Sequence, residues 1–426
     1  MMKQPQPRAV VVGGSIAGVS CAHALALAGW DVIVLEKSRR PPTGSPTGAG
    51  VGIDPLTQQI IGSWLQKPGS LHNISLPLTV HQNQAISDGK ISKILTRDER
   101  FNHIAVHWAD LHGLLYNSIP QQVLFLWGHL LHSFSVSNNK KSVKVKAKVL
   151  HSGETIEVNG DLLVAADGCL SSVRQSFLPD LKLRYSGYCA WRGVFDYSGI
   201  EDSGNMKWIR ATYPGLGNCL CFDLAPGTHN ALFEIPNKRI NWLWYINQPE
   251  PKLKGTSVTM KVREDMIRKM QQEAEKVWPP AFVEIIKLTE EPFINVIYDA
   301  DPLDQIFRDN VVLVGDAAHP TTPHCARSTN MSILDAEVLG RCLGRYPGNL
   351  RCSLREYQAI RSPVTSAQVL KSRRVGMIKQ GLKVPGCDKL FDPCRASSEE
   401  REELEPKTVP FTSDVPLQGK GAVSSL

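Results

Sequence analysis

The chain has 426 residues, 42% hydrophobic and 21% charged, with a formal net charge of +7, the balance of a soluble globular protein large enough for two cored domains. No apolar run approaches the roughly 20 residues that span a bilayer. The opening MMKQPQPR leads into a strand rather than an apolar leader, so a cytoplasmic protein is expected. The modest charge and the lack of a dense basic run argue against nucleic acid and slightly favour anionic small molecules.

In chain order, residues 9–14 read as an apolar strand and Ile16–Ala28 as a helix rich in Ala and Leu that Gly29 ends. Asp31–Leu35 reads as a second strand closed by Glu36. Together they make one β-α-β unit. Its turn is Gly13-Gly14-Ser15-Ile16-Ala17-Gly18. Gly13 suits the tight turn, and Gly18 the close packing of helix on strand. Ser15 stands where the dinucleotide-binding pattern has its middle glycine. It is the smallest replacement that still lets phosphate approach the backbone, and its hydroxyl can donate to one. The free N–H groups and positive dipole end of such a helix suit a pyrophosphate. Glu36 is placed to take both ribose hydroxyls of an adenosine and to repel a 2′-phosphate, so the nucleotide held here is not NADP.

Val143–Val149 and Thr155–Val158 flank His151-Ser152-Gly153-Glu154 as a hairpin. Leu162–Ala165 is a short buried strand before Ala166-Asp167-Gly168-Cys169-Leu170-Ser171-Ser172-Val173-Arg174. Residues 184–248 alternate apolar and polar positions, as an antiparallel sheet does. Trp242-Leu243-Trp244-Tyr245-Ile246 there is similar to a halogenase core motif, but alternation of large residues in a half-buried strand explains it more simply. Met260–Val277 has helical spacing and ends at Pro279-Pro280. Val311–Val314 is another strand, running into Gly315-Asp316-Ala317-Ala318-His319-Pro320. Helices follow over Ser332–Leu343 and Leu354–Lys379, and the polar SSEEREELEPK beyond 395 reads as a mobile tail. Asp167 and Asp316 each fall at the C-terminal end of a strand, where α/β sheets bind ligands. Taken singly, either segment is equally a capped turn. The ten cysteines are scattered without a CxxC pair. Cys219 and Cys221 share a strand face but make a poor zinc site by themselves, so no metal is expected.

The order GxGxxG, then DGxxSxVR, then GDAAHxxxP resembles the FAD-dependent aromatic hydroxylases, the single-component class A flavoprotein monooxygenases. Within that family, Gly48-Ala49-Gly50-Val51-Gly52-Ile53, Trp191-Arg192-Gly193-Val194 and Pro323-His324 look most like the dihydroxypyridine and hydroxynicotinate monooxygenases. The resemblance implies an α/β, PHBH-like fold: a Rossmann-type FAD-binding domain with an inserted α+β substrate domain built on an antiparallel sheet. The FAD-binding domain would comprise 1–75, 101–180 and 293–395, the substrate domain 76–100 and 181–292, and the tail 396–426.

The resemblance also implies roles. Gly13, Ser15, Ile16, Ala17 and Gly18 would cradle the FAD pyrophosphate, with Glu36 on the ribose and Lys37 beside it. Asp167 lies in the motif tied to FAD and to visiting NAD(P)H, which a groove with Arg174 would receive. Asp316 would hold the ribityl chain or pyrophosphate. Pro323 opens the stretch whose backbone, at Thr329 and Asn330, would contact the flavin pyrimidine edge. Two departures stand out: Trp108 replaces a usual arginine near the phosphates, and Ala326-Arg327-Ser328 replaces a usual GQG. Arg327 would then stabilise negative charge on reduced flavin.

The activity implied is insertion of one oxygen atom of O2 into an electron-rich aromatic or heteroaromatic molecule, through a flavin C4a-hydroperoxide, with NADH or NADPH as transient co-substrate. His324 is the candidate proton acceptor, because imidazole titrates near neutral pH; a histidine that only hydrogen-bonds its loop is the rival reading. Arg192, Trp244 and Tyr245 are the candidate substrate-pocket residues. The alternatives are another FAD oxidoreductase on the same fold (epoxidase, reductase or dehydrogenase), since fold does not fix reaction, or a degenerate non-catalytic flavoprotein, which Trp108 and Ser328 would favour. Oligomeric state is not readable from the residues.

Overall fold

The computed structural model describes residues 6–42, 48–253, 255 and 257–405. Among them, a six-stranded sheet carries the opening unit in the order Phe307–Arg308, Val311–Leu313, Leu162–Ala165, Arg8–Val12, Asp31–Glu36, Leu124–Trp127. All its neighbours run parallel except the Phe307–Arg308 edge. The strands read as near-continuous apolar runs because both faces are covered. The helix Ile16–Leu27 packs closely on Ser328–Arg345, burying Val19, Leu25, Leu334 and Leu339 in one core with the sheet. The expected hairpin forms as Val143–Val149 against Thr155–Gly160.

An eight-stranded sheet runs in the order Thr259–Met260, Phe293–Asp299, Arg184–Asp196, Arg239–Asn247, Thr228–Ile235, Cys219–Ala225, Val80–Ser87, Lys90–Asp98. It is antiparallel except where Cys219–Ala225 meets Val80–Ser87. One face buries Trp242, Trp244 and Trp278 against helices Gly204–Thr212, Glu264–Val277 and Pro280–Lys287. The opposite face carries Tyr188, Tyr245, Leu243 and Phe222 and meets the end of the long helix Leu350–Lys379. A three-stranded sheet runs in the order Gly50–Ile53, His103–His107, Ser75–Leu78, and the Gly50 backbone N–H donates to Asn241 Oδ1 of the eight-stranded sheet at 2.7 Å.

Several expectations need correcting. Phe293–Asp299 is a strand of the large sheet, paired to Arg184–Arg192, so the boundary drawn at 292/293 falls too early. The helix expected from Ser332 begins at Ser328, and the helices Pro55–Trp64, Gly204–Thr212 and Pro280–Lys287 were not foreseen. The first stretch of the supposed mobile tail is ordered: Ser397 forms a capping box on helix Ser398–Glu402, and Ala396 and Leu404 are buried. Residues 406–426 of that tail lie outside the described residues. No described helix is long and apolar enough to cross a membrane.

Candidate active site

Strand register brings the three sequence motifs together. Val12 lies opposite Ala165, and Ala165 opposite Leu313, all in parallel strands. The loops that follow, at Gly13, Asp167 and Asp316, therefore emerge at one edge of the sheet, where doubly wound sheets bind ligands. They touch closely. Gly13 has φ +100°, and a Cβ there would collide with the Ala166 carbonyl oxygen. A Cβ at Gly18 would overlap the Gly13 carbonyl oxygen, and one at Gly315 would come within 3.2 Å of Ala17 Cβ.

The residues of this crevice fit FAD. Helix Ile16–Leu27 starts at Ser15 without a side-chain cap, and Ser15 is exposed. Helix Ser328–Arg345 also starts without one. Asp54, Ser171, Ser203, Asn349 and Ser397 cap their own helices, while Trp108–Asn117, Glu264–Val277 and Pro280–Lys287, like the two crevice helices, start without a side-chain cap. Uncapped first-turn N–H groups need an acceptor, and a pyrophosphate or an electron-rich ring edge supplies one. Glu36 stands at the end of its strand, its Oε2 accepting from Gly14 N–H at 2.6 Å and its Oε1 from Ser38 N–H at 2.7 Å. Each carboxylate oxygen keeps a further lone pair for a ribose hydroxyl. Lys37 is exposed beside it, and Trp108 is half-buried at the first position of helix Trp108–Asn117, its backbone N–H donating to the Ala49 carbonyl at 2.9 Å.

Some expected cofactor residues have structural work. Asp167 accepts from Ser171 Oγ at 2.5 Å and from the Ser172 N–H at 2.8 Å, so its carboxylate fixes the turn into helix Ser172–Phe177. Asp316 Oδ1 accepts from Ser328 Oγ at 2.6 Å; burial pushes its carboxyl pKa up, opposed by that hydroxyl. Ser328, in place of glycine, thus ties the Gly315–Ala317 turn to the start of the next helix. Asn330 donates to the Gly52 and Ala326 carbonyls, both at 2.9 Å, and accepts from Asp54 N–H at 3.0 Å. Thr329, half-buried, is the second residue of the same helix, and Pro323 opens the short turn Pro323–Cys325 before it.

Two expectations are overturned here. Arg174 does not line a cationic groove. It is 2% exposed, and its guanidinium donates to the carbonyls of Asp316 (3.1 Å), Ala317 (2.9 Å) and Cys169 (2.5 Å). It clamps the second and third motifs together. Trp244 does not reach the pocket face: it packs on Trp278 with ring centroids 6.0 Å apart, and its Nε1 donates to Thr228 Oγ1. Arg327 is buried and bridges to Asp54 Oδ2 at 3.1 Å, so its charge is already matched by a carboxylate.

His324 is 5% exposed, between the start of helix Ser328–Arg345 and the antiparallel sheet. Its ring lies 4.9 Å from Tyr245, 5.1 Å from His229 and 5.4 Å from Tyr188, centroid to centroid. Neither ring nitrogen has a hydrogen-bond partner. Gly376 of the long helix permits the approach, since a Cβ there would lie 2.5 Å from Tyr188 Oη and 2.7 Å from His324 Nδ1. Burial, and then Lys379, hold the His324 pKa well below its usual range, so the imidazole is neutral. Arg192 shares the Tyr188 and Tyr245 face by strand alternation and donates to Asn295 Oδ1 at 3.1 Å. His229, Tyr188 and Lys379 belong to this region and were missed. Lys379 sits in the last helical turn, where a basic residue ordinarily reads as a solvated partner of the helix dipole.

This arrangement defines a flavoprotein with a polar, aromatic-lined pocket beside the cofactor crevice. Family models agree: an FAD dependent oxidoreductase model matches residues 8–66, an FAD binding domain-like model 185–299, and an FAD binding domain model 260–372. The chain is 28% identical to 2,6-dihydroxypyridine 3-monooxygenase of Paenarthrobacter nicotinovorans, over 84% of this chain and 87% of that protein. It is 24% identical to 6-hydroxynicotinate 3-monooxygenase of Pseudomonas fluorescens, over 79% and 82%. The structure of 2,6-dihydroxypyridine-3-hydroxylase from Arthrobacter nicotinovorans shares the fold, with a TM-score of 0.74 at 23% identity over 91% of this chain and 96% of that one. Over most of its length the chain is similar to FAD-dependent aromatic hydroxylases, and FAD is the cofactor its matched domains bind.

Proposed function

We propose that the protein is a monooxygenase that inserts one oxygen atom of O2 into an electron-rich aromatic or heteroaromatic small molecule, with NAD(P)H as reductant. Bound FAD would supply hydride acceptance and oxygen activation. In this reading the Gly13–Gly18 turn and Glu36 anchor its adenosine diphosphate end, and the starts of the Gly315 and Ser328 segments hold the rest. His324 takes the proton from the substrate hydroxyl, leaving the ring more electron-rich. Tyr188, Tyr245 and His229 wall the pocket around it.

The observation that carries this reading is His324: a neutral, buried imidazole with both nitrogens unpartnered, just before helix Ser328–Arg345. A histidine kept only to brace its loop would have a bond to that loop. The relatives act on hydroxylated pyridines, which makes monocyclic hydroxypyridines and hydroxybenzoates the first compounds to test. The test is product mass under ¹⁸O2 with NAD(P)H consumption followed in parallel. One labelled oxygen per product molecule supports the reading. NAD(P)H consumption with no labelled product from any electron-rich aromatic contradicts it and favours a reductase or dehydrogenase.

A further inference from the structure

On the Tyr245 face of the large sheet lies a small cavity of about 20 Å³. It is lined by His81 and Phe222 of the sheet, His324 and Arg327 of the flavin-side segment, Lys379 of the long helix, and Leu404 near the C-terminal helix. Lys379 is the unusual member. It is 2% exposed, its Nζ lies 3.3 Å from the centroid of the Phe222 ring, and it has no hydrogen bond or ion pair among the described residues. A buried ammonium without a counter-charge is costly, and a cation–π contact returns only part of that cost.

The other charged groups that line it, Arg327, Glu403 and Glu405, have partners of their own, and the Cys325 thiol faces Lys379. Arg327 bridges to Asp54. Glu403, on the opposite wall, bridges to Lys371 at 3.1 Å and Arg374 at 2.9 Å. His324 keeps both ring nitrogens without a partner, and His81 its Nδ1. The cavity thus holds one uncompensated cation and several unused hydrogen-bonding atoms, those of His324 in the turn just before helix Ser328–Arg345 and that of His81 on the sheet.

Resting on the monooxygenase reading, we propose that Lys379 is the counter-charge for an anionic group of the aromatic substrate, a carboxylate or an ionised ring oxygen, and so sets the preference for anionic over neutral rings. Burial lowers the Lys379 pKa to about 7 in the free protein; an anion beside it restores the ammonium, which couples binding to proton uptake. The cavity as it stands has room for little more than a water. A ring therefore enters as the wall of Glu403, Leu404 and Glu405 shifts, which the two partly exposed Glu403 ion pairs, the buried Leu404 side chain and the Asn83 bond to the Leu404 carbonyl oppose.

The test uses FAD-loaded full-length protein and two matched pairs of probes: 6-hydroxynicotinate with 2-hydroxypyridine, and 3-hydroxybenzoate with phenol. Dissociation constants are read from the change in flavin absorbance on titration. In the parent, at least one carboxylate-bearing probe binds more tightly than its neutral counterpart. In Lys379→Met that preference falls by roughly tenfold or more, the size of one lost charge-assisted hydrogen bond, while the neutral probes bind as before. Equal binding of charged and neutral probes by the parent overturns the proposal without any variant, so it is exposed even if Lys379→Met and Lys379→Gln both misfold. A preference that survives Lys379→Met in a folded, FAD-loaded variant also overturns it. Either result leaves oxygen insertion standing, whereas a parent that takes up no FAD removes the monooxygenase reading itself.

Discussion

Replacing Arg174 with Met tests whether the flavin crevice is held together from behind. The guanidinium makes three hydrogen bonds to backbone carbonyls, joining Cys169 of the second motif to Asp316 and Ala317 of the third. Met fills similar apolar space but leaves those carbonyls without their donor. Each stranded buried acceptor costs about 1–3 kcal/mol, and relief of the buried charge returns part of the sum. The expected net loss is about 4 kcal/mol, within the range for breaking a buried polar cluster. For a chain of this length that lowers Tm by about 5 °C. Because the loosened loops carry Asp316, FAD binding should weaken as well. Thermal melts of apo and FAD-loaded protein, with FAD titration by fluorescence quenching, measure both. Arg174→Lys keeps the charge but loses the fork, so it should recover little. A Met variant that melts with the parent and binds FAD equally tightly would refute the clamp.

Gly18→Ala places a Cβ on the Gly13 carbonyl oxygen, so the turn must open and FAD content per chain should collapse; a variant purified with parental flavin absorbance contradicts this. Ser328→Gly removes the hydroxyl bonded to Asp316 and should weaken FAD binding up to roughly tenfold, about the value of one hydrogen bond to a charged group; unchanged affinity would make that bond incidental. His324→Gln should slow oxygen transfer by about 10²-fold or more, the usual range for a lost proton acceptor, and flavin reduction far less; equal slowing in rapid-mixing traces of the two half-reactions removes His324 as the acceptor. Lys379 releases its proton near pH 7 when folded and near 10.5 when unfolded, so the unfolded chain binds more protons between those values and its contribution to stability rises with pH there. Urea denaturation of apo-protein should therefore show Lys379→Met most stabilising at and below pH 7, with the gain shrinking toward pH 10; a gain independent of pH contradicts a buried, unpaired lysine.

The placement of the three motifs was legible because a parallel strand followed by a glycine turn has few geometric solutions. Val12, Ala165 and Leu313 fall in register, as their shared position before each motif suggests. What individual polar side chains do within those motifs was less legible. Asp167 spends its hydrogen bonds on the backbone and hydroxyls of the turn it fixes and Asn330 its own on backbone, and no linear pattern separates a ligand-facing carboxylate from a capping one. Trp244 was misplaced although alternation alone puts it on the face opposite Tyr245; the strand pattern fixes which residues share a face, and the large aromatic character of both obscured it. Lys379 and the Ala396–Leu404 segment were hidden for a common reason. Both read as polar and solvated, and only long-range packing of the C-terminal segment over the Phe222 face buries them.

The most direct measurement for the whole account is FAD stoichiometry and affinity in the full-length protein, by absorbance after reconstitution and gel filtration. One tightly held FAD per chain, lost in Gly18→Ala, is the expected result. Protein that remains colourless with excess FAD, while folded by circular dichroism, would contradict the flavin site and every step built on it.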